Sequence, residues 1–269
     1  MDNLLLGKSV AYDAPYDPNI LCPIARAPGR QQLGVPSPLP FFGCDIWNAY
    51  ELSWLDRTGK PVVACGEFRI PADSLNIVES KSFKLYLNSL NQHRFDDVAQ
   101  LIAVLRRDLA ACLGATPEIA IHLPAQWSTL RCVEPEGLCL DDLPVQIEHY
   151  HPAPHLLNVG SAFVKQKVFS RLLRSCCPVT GQPDWATLHI EYSGQEIEST
   201  GLLAYIVSFR LHQDFHEHCV ERIFHDIMQR CAPEQLSVYA RYLRRGGLDI
   251  NPFRGTGHRI PDNSRFWQQ

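Results

Sequence analysis

Cys177 and Asp184 stand at the two ends of Cys177-Pro178-Val179-Thr180-Gly181-Gln182-Pro183-Asp184. A thiol with an acid at hand is a pairing that covalent catalysis uses. Arg171 and Arg174 come shortly before Cys177, and a cation near a thiol favours the thiolate. Each residue also has a plain structural reading. A free Cys is often a small buried hydrophobe, a role for which Cys176 is the better candidate. An Asp in this setting can simply serve a turn. To bring the two side chains together, the chain must fold back on itself. The flanking runs 168–173 and 185–190 are rich in strand-favouring residues, so the stretch reads as a hairpin with a six-residue loop, Cys177 leaving one strand and Asp184 starting the next.

Phe215-His216-Glu217-His218-Cys219 is a second cluster, opening the last long helix. Glu217 can do no more there than favour the helix dipole. His216 and Cys219, three apart, can instead ligate zinc with a further thiol, but no second pair stands at ligand spacing. A third possibility is that Glu217 accepts paired hydrogen bonds from a guanine-like edge. Val78-Glu79-Ser80-Lys81-Ser82-Phe83-Lys84 reads either as a charged helix start or as a seat for an anionic group such as a phosphate. Arg244-Arg245-Gly246-Gly247 is a second basic patch with backbone freedom. No GxGxxG follows a strand and no GxxxxGK[ST] occurs, so Rossmann and P-loop signatures are absent.

The chain has 269 residues, 45% hydrophobic and 20% charged, enough to bury a sizeable core. A net charge of -4 argues against nucleic acid as a bulk electrostatic partner. No apolar run approaches a membrane span, and Met1-Asp2-Asn3-Leu4-Leu5-Leu6 lacks the basic start and long apolar region of a signal peptide. The ten cysteines are scattered, without a CxxC pair. Reduced thiols and a cytoplasmic location are the expectation.

Residues 1–43 read as a Pro-rich arm, with seven of the twenty prolines between Pro15 and Pro40. It should run extended over the surface and pack through Tyr12, Tyr16, Ile20, Leu21, Phe41 and Phe42. A hairpin over 47–70, a helix to about 91, a helix over 95–113 capped by Gly114, and strands at 119–122 and 145–148 follow. The second half repeats this order at an offset of about 119 residues: the Cys177 hairpin, a helix after 197–199, and a helix over 215–231. This predicts an α+β fold built from a duplicated module, with domains 1–150 and 151–269. Polar equipment is split between the halves, which points to one composite site rather than two copies.

Three stretches together resemble the NADPH-dependent 7-cyano-7-deazaguanine reductases, the nitrile reductases of queuosine biosynthesis, in their long two-module branch. They are Glu79-Ser80-Lys81-Ser82-Phe83-Lys84-Leu85-Tyr86, the 177–184 loop, and Phe215-His216-Glu217. The resemblance implies two tandem tunnelling-fold modules, each an antiparallel sheet backed by two helices. It implies reduction of the nitrile of 7-cyano-7-deazaguanine to 7-aminomethyl-7-deazaguanine by two NADPH, with no metal. By motif, Cys177 would be the nucleophile, Asp184 the proton donor, and His216 a further catalytic group. Val78, Glu79, Ser80, His216 and Glu217 would contact substrate, and Ser80, Lys81, Arg245 and Gly246 would contact NADPH. A homodimer is expected, with no nucleic acid or membrane partner. Two rival readings are a zinc-dependent cyclohydrolase of the same superfamily and a non-catalytic purine- or pterin-binding protein.

Overall fold

The computed structural model describes residues 15–269, so the readings of Tyr12 and of Met1–Leu6 lie outside it. In chain order the elements are β1 Pro23–Ala25, α1 Ala27–Leu33, β2 Phe42–Leu55, β3 Pro61–Pro71, β4 Asn76–Val78, α2 Ser80–Ser89, α3 Val98–Leu113 and β5 Glu118–His122. There follow β6 Leu138–Cys139, β7 Val159–Cys176, β8 Pro183–Ile197, α4 Ser199–Val207, α5 His216–Cys231, β9 Gln235–Tyr242 and β10 Leu248–Gly255. This is the expected α+β composition, with long antiparallel hairpins each followed by two helices.

Two compact units divide the chain. The first gathers the described residues up to Pro28, Asp45–Arg131 and Arg244–Asp249. Its strand order is β5-β3-β2, with β1 and β4 forming a separate antiparallel pair. The β2–β3 turn closes on Asp56, whose side chain accepts from the Thr58 and Lys60 backbone N–H groups, while Gly59 takes a positive φ of 89°. Leu101, Leu105 and Leu109 of α3 are buried, as the three- and four-residue spacing predicts. Trp47 and Phe68 each meet the Phe83 ring edge to face.

The second unit gathers Gly29–Cys44, Cys132–Leu243 and Ile250–Gln269. Its strands run β10-β9-β8-β7-β6, antiparallel except for the parallel β6–β7 pair. On α5, Val220, Ile223, Phe224 and Ile227 are fully buried.

The repeat is visible in the helices. Glu79 and Glu198 hold the N-cap positions of α2 and α4, 119 residues apart. Both α3 and α5 are 16 residues long, and each ends on a left-handed residue, Gly114 and Ala232. Their starts, Val98 and His216, are 118 residues apart. His216 and Glu217 therefore match Val98 and Ala99. Aligning Phe95 with Phe215 would instead pair them with Asp96 and Asp97, but α3 begins two residues later after its aromatic than that alignment allows.

Two expectations need correction. The arm is not simply extended. Its 27–33 stretch forms α1, where Pro28 sits in the first turn and its missing N–H costs nothing. Pro23–Ala25 pairs with β4. Residues 145–148 form no strand. Val145 and Ile147 are half-buried while Gln146 and Glu148 are exposed, so the alternation is present, but no neighbouring strand supplies a ladder.

Candidate active site

The β7–β8 hairpin places Cys177 and Asp184 as the sequence predicts. Cys176 pairs with Pro183 and Ser175 with Asp184, leaving 177–182 as the loop. The Cys177 N–H donates to the Gln182 carbonyl at 2.9 Å, and the Gly181 N–H donates to the Cys177 carbonyl at 3.0 Å. Gly181 has φ +68°, a conformation that favours glycine at that point.

A bulge decides which way the thiol faces. Ser170 opposes Leu188 and Leu173 opposes Ala186, so Arg171 and Leu172 together face a single residue of β8. Without it, strict alternation would put Ser170, Leu172, Arg174 and Cys176 on one face. With it, Leu173 and Ser175 share the buried face of Ala186 and Asp184, and Cys177 is next in that series. Cys177 is 4% exposed and Asp184 5%. Cys176 takes the other phase, with its Sγ 3.7 Å from the Arg210 carbonyl.

Against this rim lies the first turn of α5. His216 Nε2 is 3.4 Å from Asp184 Oδ2. The His216 ring stacks on Tyr242, centroids 3.7 Å apart and planes within 4°. Tyr242 opposes Ala186 across the β8–β9 ladder and so shares its face. His216 Nδ1 is buried without a hydrogen-bond partner, while the Ser175 and Tyr242 hydroxyls and the Cys219 thiol lie within reach of one another. Burial pushes the Tyr242 hydroxyl and the Cys219 thiol well above their usual pKa values. Glu217 is 2% exposed at the second position of the helix.

Asp214 organises the turn into α5. It accepts from the Phe215 N–H at 2.8 Å, lies 3.1 Å from His218 Nδ1, and 3.5 Å from His212 Nε2. Burial acts to raise its pKa, but the contacts with His212 and His218 outweigh this and hold it well below the usual carboxylate range. Burial likewise acts against charge on His218, yet Asp214 prevails and raises its pKa.

In the first unit, Val78 ends β4 and Glu79 caps α2. The Glu79 carboxylate is 1% exposed and accepts from the Lys81 N–H at 2.7 Å and the Ser82 N–H at 2.8 Å. Its own N–H donates to the Cys22 carbonyl. Ser80 and Lys81 stand half-buried in the first turn of α2. Arg245 and Gly246 lie on a tight turn between Arg245 and Leu248, where Gly246 and Gly247 both have positive φ, 57° and 79°. A Cβ on Gly246 would stand 2.8 Å from Lys84 Nζ. Lys84 Nζ is 3.9 Å from Glu51, and the Arg244 guanidinium lies over the Tyr50 ring at 5.4 Å. Lys84 thus stands against Gly246 and the Glu51 carboxylate against Gly247 at this turn.

Sequence reasoning brings out Cys177, Asp184, His216 and Glu217, which the second unit gathers at one end of a hairpin and one helix start. It misses Tyr242 and Asp214. Tyr242 lies far from His216 in sequence, and no spacing rule links a strand end to a helix start. Asp214 had a signal, an acidic residue just before a helix with His two and four positions away. Among the described residues no set of three His, Cys, Asp or Glu side chains gathers as metal ligands. A cavity of about 750 Å³ in the second unit, bordered by His189, Glu191, Tyr239 and Phe266, holds none of the predicted residues.

Two family models match the chain. Residues 12–122 match the family model described as nitrile reductase, 7-cyano-7-deazaguanine-reductase N-term, and residues 183–260 match QueF-like protein. The chain is 57% identical over 250 residues to the NADPH-dependent 7-cyano-7-deazaguanine reductase of Bordetella avium, covering 93% of this chain and 92% of that one. It is 53% identical over 267 residues to the protein of the same name from Burkholderia vietnamiensis, covering 98% and 97%. Among solved structures, the apo archaeosine synthase QueF-Like aligns with a TM-score of 0.32 at 16% identity, over 37% of this chain and 99% of that one.

Proposed function

The chain belongs to the 7-cyano-7-deazaguanine reductase family, and we propose that it reduces the nitrile of 7-cyano-7-deazaguanine to the aminomethyl group in queuosine biosynthesis, by way of a covalent Cys177 thioimide. The observation that carries the chemistry is the rim where Cys177, Asp184 and His216 come from one hairpin and one helix start.

A nitrile carbon is a poor electrophile, and adding a thiolate splits its reduction into easier steps. The Cys177 sulfur bonds to the nitrile carbon, and the displaced π pair goes to nitrogen. Asp184 delivers the proton to that nitrogen. His216 holds the Asp184 carboxyl through Nε2, which leaves its unpartnered Nδ1 available to substrate. Glu217 and Glu79, with Val78 and Ser80, bind and orient the deazaguanine; orientation of this kind is worth orders of magnitude in rate. When reduction at carbon breaks the C–S bond, Cys177 leaves as thiolate and an imine remains.

NADPH, when bound, supplies the hydrides, two per nitrile. Ser80, Lys81, Arg245 and Gly246 are the residues we assign to it. Lys84 stands against Gly246 and is the cation this turn offers a phosphate-bearing group, with the Glu51 carboxylate against Gly247 as the neighbour that such a group would have to displace. The Lys81 and Ser82 N–H groups are already taken by Glu79, so side-chain cations rather than helix N–H groups serve the phosphates.

We also assign the chain to the cytoplasm as a homodimer acting on the free base rather than on tRNA. Duplication of the module halves the number of chains needed to close a module assembly, which supports two. Among the described residues no helix is long and apolar enough to cross a membrane.

The deciding experiment mixes protein with 7-cyano-7-deazaguanine without NADPH and maps the mass adduct by peptide. An adduct on Cys177, lost in Cys177→Ala while substrate still binds, is the expected result. Binding without any adduct in the natural chain sinks the covalent route.

A further inference from the structure

We infer that Asp214 is a positioning residue that holds the Cys177 loop and the first turn of α5 as one piece. The inference deepens the covalent reading above and rests on it for its functional meaning.

Segment 212–214 runs alongside the end of β7. The Cys176 N–H donates to the His212 carbonyl at 2.8 Å, and the Asp214 N–H donates to the Cys176 carbonyl at 3.2 Å. Cys176 and Gln213 form a parallel bridge. The residue immediately before Cys177 is therefore clamped on both its N–H and its C=O by this segment. The same segment launches α5, where His216 and Glu217 occupy the first two positions. Whatever fixes 212–214 fixes both the thiol and its partners.

Asp214 is what fixes it. Its carboxylate reaches forward to the Phe215 N–H, one turn along α5 to His218 Nδ1, and back to His212 Nε2. His218 is itself wedged: a Cβ on Gly29 would lie 2.7 Å from its Cε1, and its ring meets Phe215 edge to face. Asp214 thus ties a short segment to a side chain that cannot easily move. The cap of α5 is otherwise Phe215, which has no side-chain hydrogen bond to give. An anionic carboxylate beside this N-terminus also suits the helix dipole.

The test separates positioning from mere folding. Asp214→Ala and Asp214→Asn are compared with the natural chain in single-turnover adduct formation on Cys177, recording amplitude and rate constant. Alkylation of Cys177 by iodoacetamide is mapped in parallel. A misplaced nucleophile loses roughly tenfold or more in the adduct rate constant at full amplitude, and Asp214→Asn, which keeps the shape and the bond from Phe215, falls between. The alkylation rate should shift in both variants. A lowered amplitude with an unchanged rate constant means only that fewer molecules are folded, and overturns the inference. If the natural chain forms no adduct, the covalent reading fails, and unchanged alkylation in both variants overturns the positioning role independently.

Discussion

Replacing Glu79 puts a number on a carboxylate that has two tasks. In the structure it is a helix cap, with one oxygen on the Lys81 N–H and the other on the Ser82 N–H, at 2.7 and 2.8 Å and almost wholly buried. Glu79→Ala leaves both N–H groups unsatisfied. Losing an N-cap typically costs about 1 kcal/mol, and the Ser82 N–H, the fully buried one of the two donors, costs about a further 1–3 kcal/mol when left unpaired. The sum is about 2–4 kcal/mol. For a chain of this size each kcal/mol moves the melting temperature by about 2–4 °C, so the midpoint should fall by about 4–16 °C. Glu79→Gln keeps one acceptor and turns an NH2 toward the other N–H, so roughly half that loss is expected. The assay is thermal denaturation followed by circular dichroism, with amide hydrogen exchange at Lys81 and Ser82 to localise the effect. Substrate affinity should fall in both variants. A melting temperature within 2 °C of the natural chain, alongside lost substrate binding, would refute the capping argument and leave Glu79 as a ligand alone.

Asp184→Asn should lower NADPH oxidation by about 10²–10⁴-fold, the usual worth of a placed proton donor, with the fold kept because residue 184 sits at the start of β8; normal turnover in this variant contradicts the assignment. His189 gives a pH signature. Burial, then Arg241 and Arg171, bring its pKa from 6.5 down to about 4. Its folded value lies below its unfolded one, so the unfolded chain binds the proton first as pH falls. The stabilisation is whole above pH 6.5 and is lost progressively down to about pH 4. His189→Phe, keeping the stack with Phe169 and Phe266, should remove on the order of 3 kcal/mol of that pH dependence. Parallel melting curves against pH for the two chains would show that His189 is not the group responsible.

Much of the local structure was legible from spacing, because local forces dominate there. The stripe Leu101, Leu105, Leu109 and the glycine at 114 define α3 by helical period and C-cap chemistry. The loop from Cys177 to Gln182 follows from the residues on either side of it. The duplicated order of hairpin and helices needed only comparison of the two halves. What failed was non-local. Residues 145–148 carry a strand's alternation, but a strand exists only where a neighbour accepts its hydrogen bonds. The arm's α1 reflects tolerance of Pro28 in a first turn, which proline counting overlooks.

The chemistry divides in the same way. Residue type and spacing picked out a thiol, an acid and a His-Glu helix start as candidates, and the reduction itself came from the family resemblance that those motifs carry. Tertiary structure decided which of two adjacent cysteines takes the inward phase. Along a strand every second residue faces the same way, so that choice depends on the bulge at Arg171 and Leu172, and a bulge is defined only by the partner strand. It also decided that His216 rests on Tyr242 and meets Asp184, since those three come from a helix, a strand end and a hairpin that the sequence keeps far apart.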